Sequence, residues 1–197
     1  MRLAIIDNGG ANVASLRFAF ERLDCRPIVT TDATIIREAT HVVLPGVGAA
    51  ADAMSRLRAS GLAAVIPDLQ QPVLGICLGM QLLFEFSDEG GTPCLSAMQG
   101  AASRMSAARG RPVPHMGWNQ LQISRGSALV EGIRSGEYVY FVHSYAVGLG
   151  PATVASCNYG NEFSAVVASR NFYGTQFHPE RSAATGARLL ANFLRIA

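Results

Sequence analysis

The feature that most constrains the fold is a set of short runs with almost no polar side chain, at residues 3–6, 41–44 and 73–76, set apart by stretches of helical periodicity. A strand that is apolar on both faces belongs inside a parallel sheet with helices packed on each side. Residues 3–6 read as a strand and Asn8-Gly9-Gly10 as a turn. A helix follows over 13–23, because Val13, Leu16, Phe20 and Leu23 recur at helical spacing. Residues 27–30 read as a second strand, and 41–44 as a third that ends at Pro45-Gly46. A helix over 49–59 comes next, then a fourth strand at 73–76 that runs without a break into a helix over 78–86. Beyond Gln120 the pattern changes to β-rich runs at 121–123, 138–142, 153–155, 164–167 and 172–176, separated by Gly and Asn turns. These predict antiparallel or mixed strands. A helix over 183–196, with Leu189, Leu190, Phe193 and Leu194 on one face, closes the chain. The expected class is α/β: a mixed, mostly parallel sheet flanked by helices, with added antiparallel strands in the second half, as one domain over 1–197.

Composition narrows the function classes. With 49% hydrophobic and 15% charged residues, the chain has the means to bury a core and is not a disordered polypeptide. A net charge of +2 without a basic run leaves no electrostatic footprint for nucleic acid or an anionic membrane. The apolar stretch 69–84, which lacks a charge or His, is broken by Gln, Pro and Gly and falls short of the roughly 20 apolar residues of a spanning helix. No signal-peptide pattern precedes the first strand, so a soluble, cytoplasmic protein is expected. All 16 basic residues are arginine. Without lysine, neither a Schiff base nor a GxxxxGK[ST] phosphate loop is available. Cys25, Cys77, Cys94 and Cys157 form no CxxC pair, so each reads as a small buried hydrophobe unless its neighbours say otherwise.

For Cys77 they do. The segment Pro72-Val-Leu-Gly-Ile-Cys77-Leu-Gly-Met-Gln-Leu-Leu-Phe84 is an apolar strand, then Gly-x-Cys-x-Gly, then a helical pattern. That is the layout of a nucleophile elbow. A nucleophile on a sharp strand-to-helix turn needs small residues two before and two after it, here Gly75 and Gly79. Its side chain then stands above the sheet edge over a helix N-terminus, and the N–H of Leu78 points at the same spot as an oxyanion donor.

A cysteine nucleophile needs a base and a group that orients the base. Of His41, His115, His143 and His178, the last closes a strand that Pro179 stops, and Glu180 two positions on points the same way in extended geometry. His41 opens a buried strand and His115 lies among prolines and a Gly-Trp, so both read as structural. The loop Leu44-Pro45-Gly46-Val47-Gly48 could be a loose dinucleotide fingerprint, but it does not follow the first strand of its unit and lacks an acidic residue at the end of the next. A second oxyanion donor beside the elbow is the better reading of it.

At these residues the chain resembles the class I (triad-type) glutamine amidotransferases. Within them it is most similar to the family of glutaminase subunits that serve imidazole glycerol phosphate synthase. The likeness rests on Leu44-Pro-Gly-Val-Gly48, Gly75-Ile-Cys-Leu-Gly-Met-Gln-Leu-Leu-Phe-Glu85, Pro114-His-Met-Gly-Trp-Asn119, Tyr140-Phe-Val-His-Ser-Tyr145 and Gly174-Thr-Gln-Phe-His-Pro-Glu180. The resemblance implies that Cys77 attacks the side-chain amide of glutamine, that His178 moves the protons and that Glu180 orients it. It also implies that Leu78 and the Gly46–Val47 loop hold the oxyanion, and that Gln81, Glu89, Ser144 and Tyr145 hold the substrate. Ammonia would pass to a separate (β/α)₈ cyclase subunit in a heterodimer, with no metal or organic cofactor, in histidine biosynthesis. Trp118 and Arg181 would contact that partner. Departures from the family lie in Asp7-Asn-Gly-Gly-Ala-Asn12, in residues 95–111 and at Arg181, where relatives commonly carry lysine; they bear on the partner interface rather than on the chemistry. The competing readings are a glutaminase for another synthase such as the pyridoxal phosphate one, a cysteine hydrolase on a related α/β sheet, and a degenerate regulatory subunit. The last would lack Cys77, His178 or Glu180.

Overall fold

The computed structural model describes residues 1–9 and 12–197. In chain order the elements are β1 (Leu3–Ile6), α1 (Val13–Glu21), β2 (Ile28–Thr30), α2 (Ala33–Glu38), β3 (His41–Gly46), α3 (Ala50–Ala59), α4 (Leu62–Val65), β4 (Val73–Cys77) and α5 (Leu78–Leu82). There follow β5 (Phe86–Ser87), β6 (Thr92–Pro93), β7 (Ala101–Arg104), β8 (His115–Gln120), β9 (Gln122–Ile123), β10 (Tyr138–His143), β11 (Tyr145–Val147), β12 (Thr153–Asn158), β13 (Glu162–Ser169), β14 (Phe172–Thr175) and α6 (Ala183–Phe193).

Eight strands form the main sheet in the order β2-β1-β3-β4-β14-β13-β12-β9. The first five are mutually parallel, and β13, β12 and β9 alternate in direction beyond them. Successive residues of the apolar runs enter opposite cores, as their composition requires. Leu3 and Ile5 lie in one core and Ala4 and Ile6 in the other; Val43 faces the first, Val42 and Leu44 the second. The buried faces of α1 and α6 cover one side of the sheet, and those of α2, α3 and α4 cover the other. Because β3, β4 and β14 run parallel and side by side, their carboxyl ends emerge at one edge. Gly46 is in register with Cys77 there, and β14 leads into residues 176–178.

The α/β class with a mixed, mostly parallel sheet is as the sequence predicts, with corrections in the parts. The helix expected over 78–86 stops at Leu82. Leu83 and Phe84 tighten the last turn by bonding three residues back, to Met80 and Gln81, and Phe86–Ser87 pairs with β6 and β7 instead. With β11 these make a separate four-stranded sheet. α1 and α6 end at Glu21 and Phe193, short of the expected Leu23 and Ile196. The short helices α2 and α4 have no counterpart among the expected elements. α2 is capped by the Asp32 carboxylate, which accepts from the backbone N–H of Thr34 at 2.7 Å and of Ile35 at 3.4 Å. The turn expected at Asn8-Gly9-Gly10 includes Gly10, which lies outside the described residues.

Candidate active site

Cys77, the last residue of β4, has φ +53° and ψ −112°, a conformation that L-residues avoid and that costs on the order of 1–3 kcal/mol. The reversal works because backbone meets backbone on both sides of it. A Cβ on Gly75 would sit 2.7 Å from the carbonyl oxygen of Gly79 and the Cα of Met80, and one on Gly79 would overlap the Leu44 carbonyl of β3. The strand therefore turns into α5 within one residue and lifts the Cys77 side chain over the sheet edge.

His178 arrives from the neighbouring strand. Its N–H donates to the Tyr140 carbonyl at 3.0 Å, and its own carbonyl accepts from the Ser182 hydroxyl at 2.7 Å, so the main chain is fixed on both sides of Pro179. The ring nitrogen Nδ1 lies 2.8 Å from Glu180 Oε1, and that oxygen also accepts from Asn12 Nδ2 at 2.5 Å. Burial pushes the His178 pKa down, but hydrogen bonding to Cys77 and Glu180, together with their charges, outweighs it and raises the pKa to about 10. For Glu180 burial alone would raise the pKa. The hydrogen bond and charge of His178 and the hydrogen bond from Asn12 more than offset that, holding the carboxyl below its ordinary value. A carboxylate on Nδ1 keeps a proton there and leaves Nε2 to face the sulfur side. Nothing in the sequence singles out Asn12 beyond its place in an atypical loop. It comes from the start of α1, 168 residues from Glu180.

Cys77 and His178 open onto a cleft of about 330 Å³ that is also lined by Val47, Gly48, Leu78, Gln81, Glu89, Ser144 and Tyr145. The sequence-derived candidates therefore converge, with one exception. Gly46 lies beside Cys77 in the sheet but its Cα faces the Leu78–Gly79 backbone, and it borders a smaller neighbouring cavity rather than the cleft. Gly48 has φ +90°, a conformation that suits glycine, with open space around a Cβ position. Glu89 is partly committed: its Oε2 accepts from the N–H of Ala50 at 2.8 Å and caps α3, whose own cap residue, Ala49, cannot. Pro114 and His143 also line the cleft.

The other histidines take structural roles. His41 bonds to the Ile196 carbonyl at 2.9 Å. His115 stacks between Phe141 and Tyr159, with ring centroids 4.8 and 4.0 Å away. Trp118 is not in a loop between prolines and glycines, as its neighbours suggest, but in β8, opposite Tyr140 in a two-stranded ribbon with β10. The reason is the period of two: His115, Gly117 and Asn119 face inward, and Met116, Trp118 and Gln120 outward. Met116, Trp118 and Tyr138 are 62%, 52% and 55% exposed, so Trp118 is not a core residue. Arg181 is exposed in the turn after Glu180. Among the described residues no cluster of three or more His, Cys, Asp or Glu is arranged to hold a metal ion.

A strained cysteine on an α/β sheet edge, backed by a histidine–glutamate pair and facing an amide-sized cleft, goes together with kinship. The family described as Glutamine amidotransferase class-I matches residues 4–197, and the chain belongs to it. Within that family it falls among the HisH proteins. It is 54% identical over 194 residues to the imidazole glycerol phosphate synthase subunit HisH of Xanthomonas campestris pv. campestris, a match covering 98% of this chain and 97% of that one. It is 50% identical to the subunit HisH 2 of Legionella pneumophila, covering 98% of each. Solved structures at lower identity share the fold. The glutaminase domain of Trypanosoma brucei CTPS superimposes with a TM-score of 0.68 at 16% identity, covering 100% of this chain and 95% of that one. PurLQS from Thermotoga maritima gives 0.72 at 18%, covering 98% and 97%.

Proposed function

We propose that the chain is the glutaminase subunit of an imidazole glycerol phosphate synthase, hydrolysing glutamine and handing the ammonia to a cyclase in histidine biosynthesis. The single observation that carries the reading is Cys77, strained and lifted over the sheet edge, facing a histidine whose ring is held by Glu180. In this account His178 Nε2 already carries the proton given up by Cys77 when the Cys77 Sγ bonds to the amide carbon of glutamine. The oxyanion that forms is met by the N–H groups of Leu78 and Val47, with Gly46 next to them in the strand. The C–N bond breaks as His178 returns the proton to the departing ammonia. Water then attacks the thioester, His178 takes its proton, and glutamate leaves as the thiol is restored. Throughout, Glu180 and Asn12 hold the ring in one tautomer.

Gln81, Glu89, Ser144 and Tyr145 are suited to the amino-acid end of the substrate. Both hydrogens of the Gln81 amide are already donated, to the Tyr145 carbonyl and to Gln176 Oε1. What Gln81 has left for a substrate ammonium is its oxygen, and Glu89 adds negative charge. The cyclase is expected to dock on the outer face of the β8–β10 ribbon, where Met116, Trp118 and Tyr138 are exposed together and Arg181 follows Glu180. The inner strand of that ribbon ends at Val142 and His143 in the cleft wall, so docking and catalysis share an element. The reading makes the complex a cytoplasmic heterodimer. Among the described residues no helix is long and apolar enough to cross a membrane. Glutamate release from glutamine, measured with and without the cyclase and its nucleotide ligand, tests the reading. Release that rises on addition of the cyclase supports it. Release from neither mixture, or hydrolysis of esters in place of glutamine, overturns it.

A further inference from the structure

Behind Cys77 runs a chain of side chains whose polarity is fixed at one end. The Tyr145 carbonyl oxygen can only accept. It is met by Gln81 Nε2 at 2.8 Å and by His143 Nδ1 at 2.9 Å, so both nitrogens donate to it. The same Gln81 nitrogen lies 3.0 Å from Gln176 Oε1, which makes that oxygen an acceptor and turns the Gln176 nitrogen the other way. There it meets Cys77 Sγ at 3.7 Å, within hydrogen-bond range of sulfur. Gln176 is fully buried, and its backbone N–H is held by the Ala165 carbonyl at 2.9 Å. Flipping its amide would set two donors against each other at Gln81 and leave an oxygen against the sulfur.

We propose that Gln176 is a further catalytic residue: it donates a hydrogen bond to the Cys77 sulfur that is strongest when the sulfur is anionic, before attack and again when the thiolate leaves the thioester. Gln81 and the Tyr145 carbonyl are its positioning partners. The inference rests on the glutaminase reading for the reaction it assists. A hydrogen bond to a charged group is roughly twice as strong as one between neutral groups, so the donor favours thiolate over thiol. The titratable groups around the sulfur are His178 from the turn after β14, with Glu180 behind it, His143 from β10 and Glu89 across the cleft. The His143 ring is neutral at working pH, its pKa pushed down by burial to about 3, so on this side of the sulfur Gln176 offers an uncharged donor in place of a cation.

The test is the rate at which iodoacetamide alkylates Cys77 in the full chain, read by peptide mass against pH, for the wild type and Gln176→Met. The substitution keeps length and removes the donor. Expected is a loss of about tenfold at neutral pH that narrows as the pH is raised; a purely structural loss would persist at every pH. Equal rates throughout overturn the proposal. Should Gln176→Met fail to fold, the ¹⁵N resonance of the Gln176 side chain is followed with pH in the wild type and in Cys77→Ala. Titration in the wild type alone supports the donor role, and the same response in both overturns it. Alkylation needs no glutamine, so a chain that shows the Gln176 effect yet releases no glutamate even with the cyclase would defeat the functional reading and leave the hydrogen bond to the sulfur standing.

Discussion

Acid should unfold this protein through two histidines that the chemistry does not consume. His115 and His143 are buried, with the His115 Nδ1 3.1 Å from the His143 Nε2. Since His143 Nδ1 donates to Tyr145, its Nε2 accepts from His115 Nδ1, and a proton added to the His143 ring would break that bond. Burial lowers the His115 pKa to about 4 and, aided by the Coulombic influence of His115 and His178, the His143 pKa to about 3, against an ordinary 6.5. Both folded values are depressed, so the stability involved is complete above pH 6.5 and is lost as the pH falls towards the folded values. In that window the unfolded chain binds protons that the folded one refuses. Each ring removes about 1.4 kcal/mol per pH unit, or about 2 kcal/mol at pH 5 and about 4 kcal/mol for the pair. His178, raised to about 10, works the other way, since its contribution to stability is complete only below the ordinary 6.5; it offsets a small part of the loss equally in wild type and variant, and the lowered pKa of Glu180 acts only at more acid pH. His41, also lowered by burial, adds in the same direction. His115→Phe keeps the stack between Phe141 and Tyr159 and removes one of the two rings. Urea unfolding at pH 7 and pH 5 should therefore show a loss about 2 kcal/mol smaller in the variant than in the wild type, near 1 M in midpoint for a slope of about 2 kcal/mol per M. Equal losses in the two proteins, or none in the wild type, would refute the reasoning.

Other outcomes follow from the same geometry. Gly79→Ala drives a methyl into the Leu44 carbonyl and should cost on the order of 3 kcal/mol in thermal or urea unfolding; a variant as stable as wild type would show that the strand and helix have room to part. Asn12→Ala removes a hydrogen bond to the Glu180 carboxylate, so kcat should fall about tenfold with KM little changed in a steady-state glutaminase assay. Trp118→Ala should weaken binding to the cyclase by about 2 kcal/mol in calorimetric titration while the melting curve stays in place, because its side chain is half exposed.

The parts legible in the sequence are those whose cause is local. Runs such as Leu3–Ile6 announce a two-faced sheet because every residue is apolar, and Gly75, Cys77 and Gly79 announce the elbow because the sterics of the turn lie within five residues. The short strands β5, β6, β7 and β11 carry no period of their own. Phe86 pairs with Ala101, and Tyr145 with Arg104, so only the folded chain supplies their partners. The helix α2 has a readable signal in Asp32 followed by Ile35 and Ile36, but it is too short to show helical spacing. In β8 the alternation of Met116, Trp118 and Gln120 with inward residues is present and is masked by Pro114 and Gly117. Asn12 and Gln176 are out of reach: one meets Glu180 across 168 positions and the other Cys77 across 99, and neither residue type marks its own role.

The most direct test of the central claim is synthesis of imidazole glycerol phosphate by the reconstituted complex, with Cys77→Ala in place of the wild-type chain and either glutamine or ammonium as nitrogen source. The account predicts that glutamine-dependent synthesis disappears, since no other group is placed to attack the amide, while ammonium-dependent synthesis persists at the wild-type level. Synthesis from glutamine at a rate near wild type would contradict it.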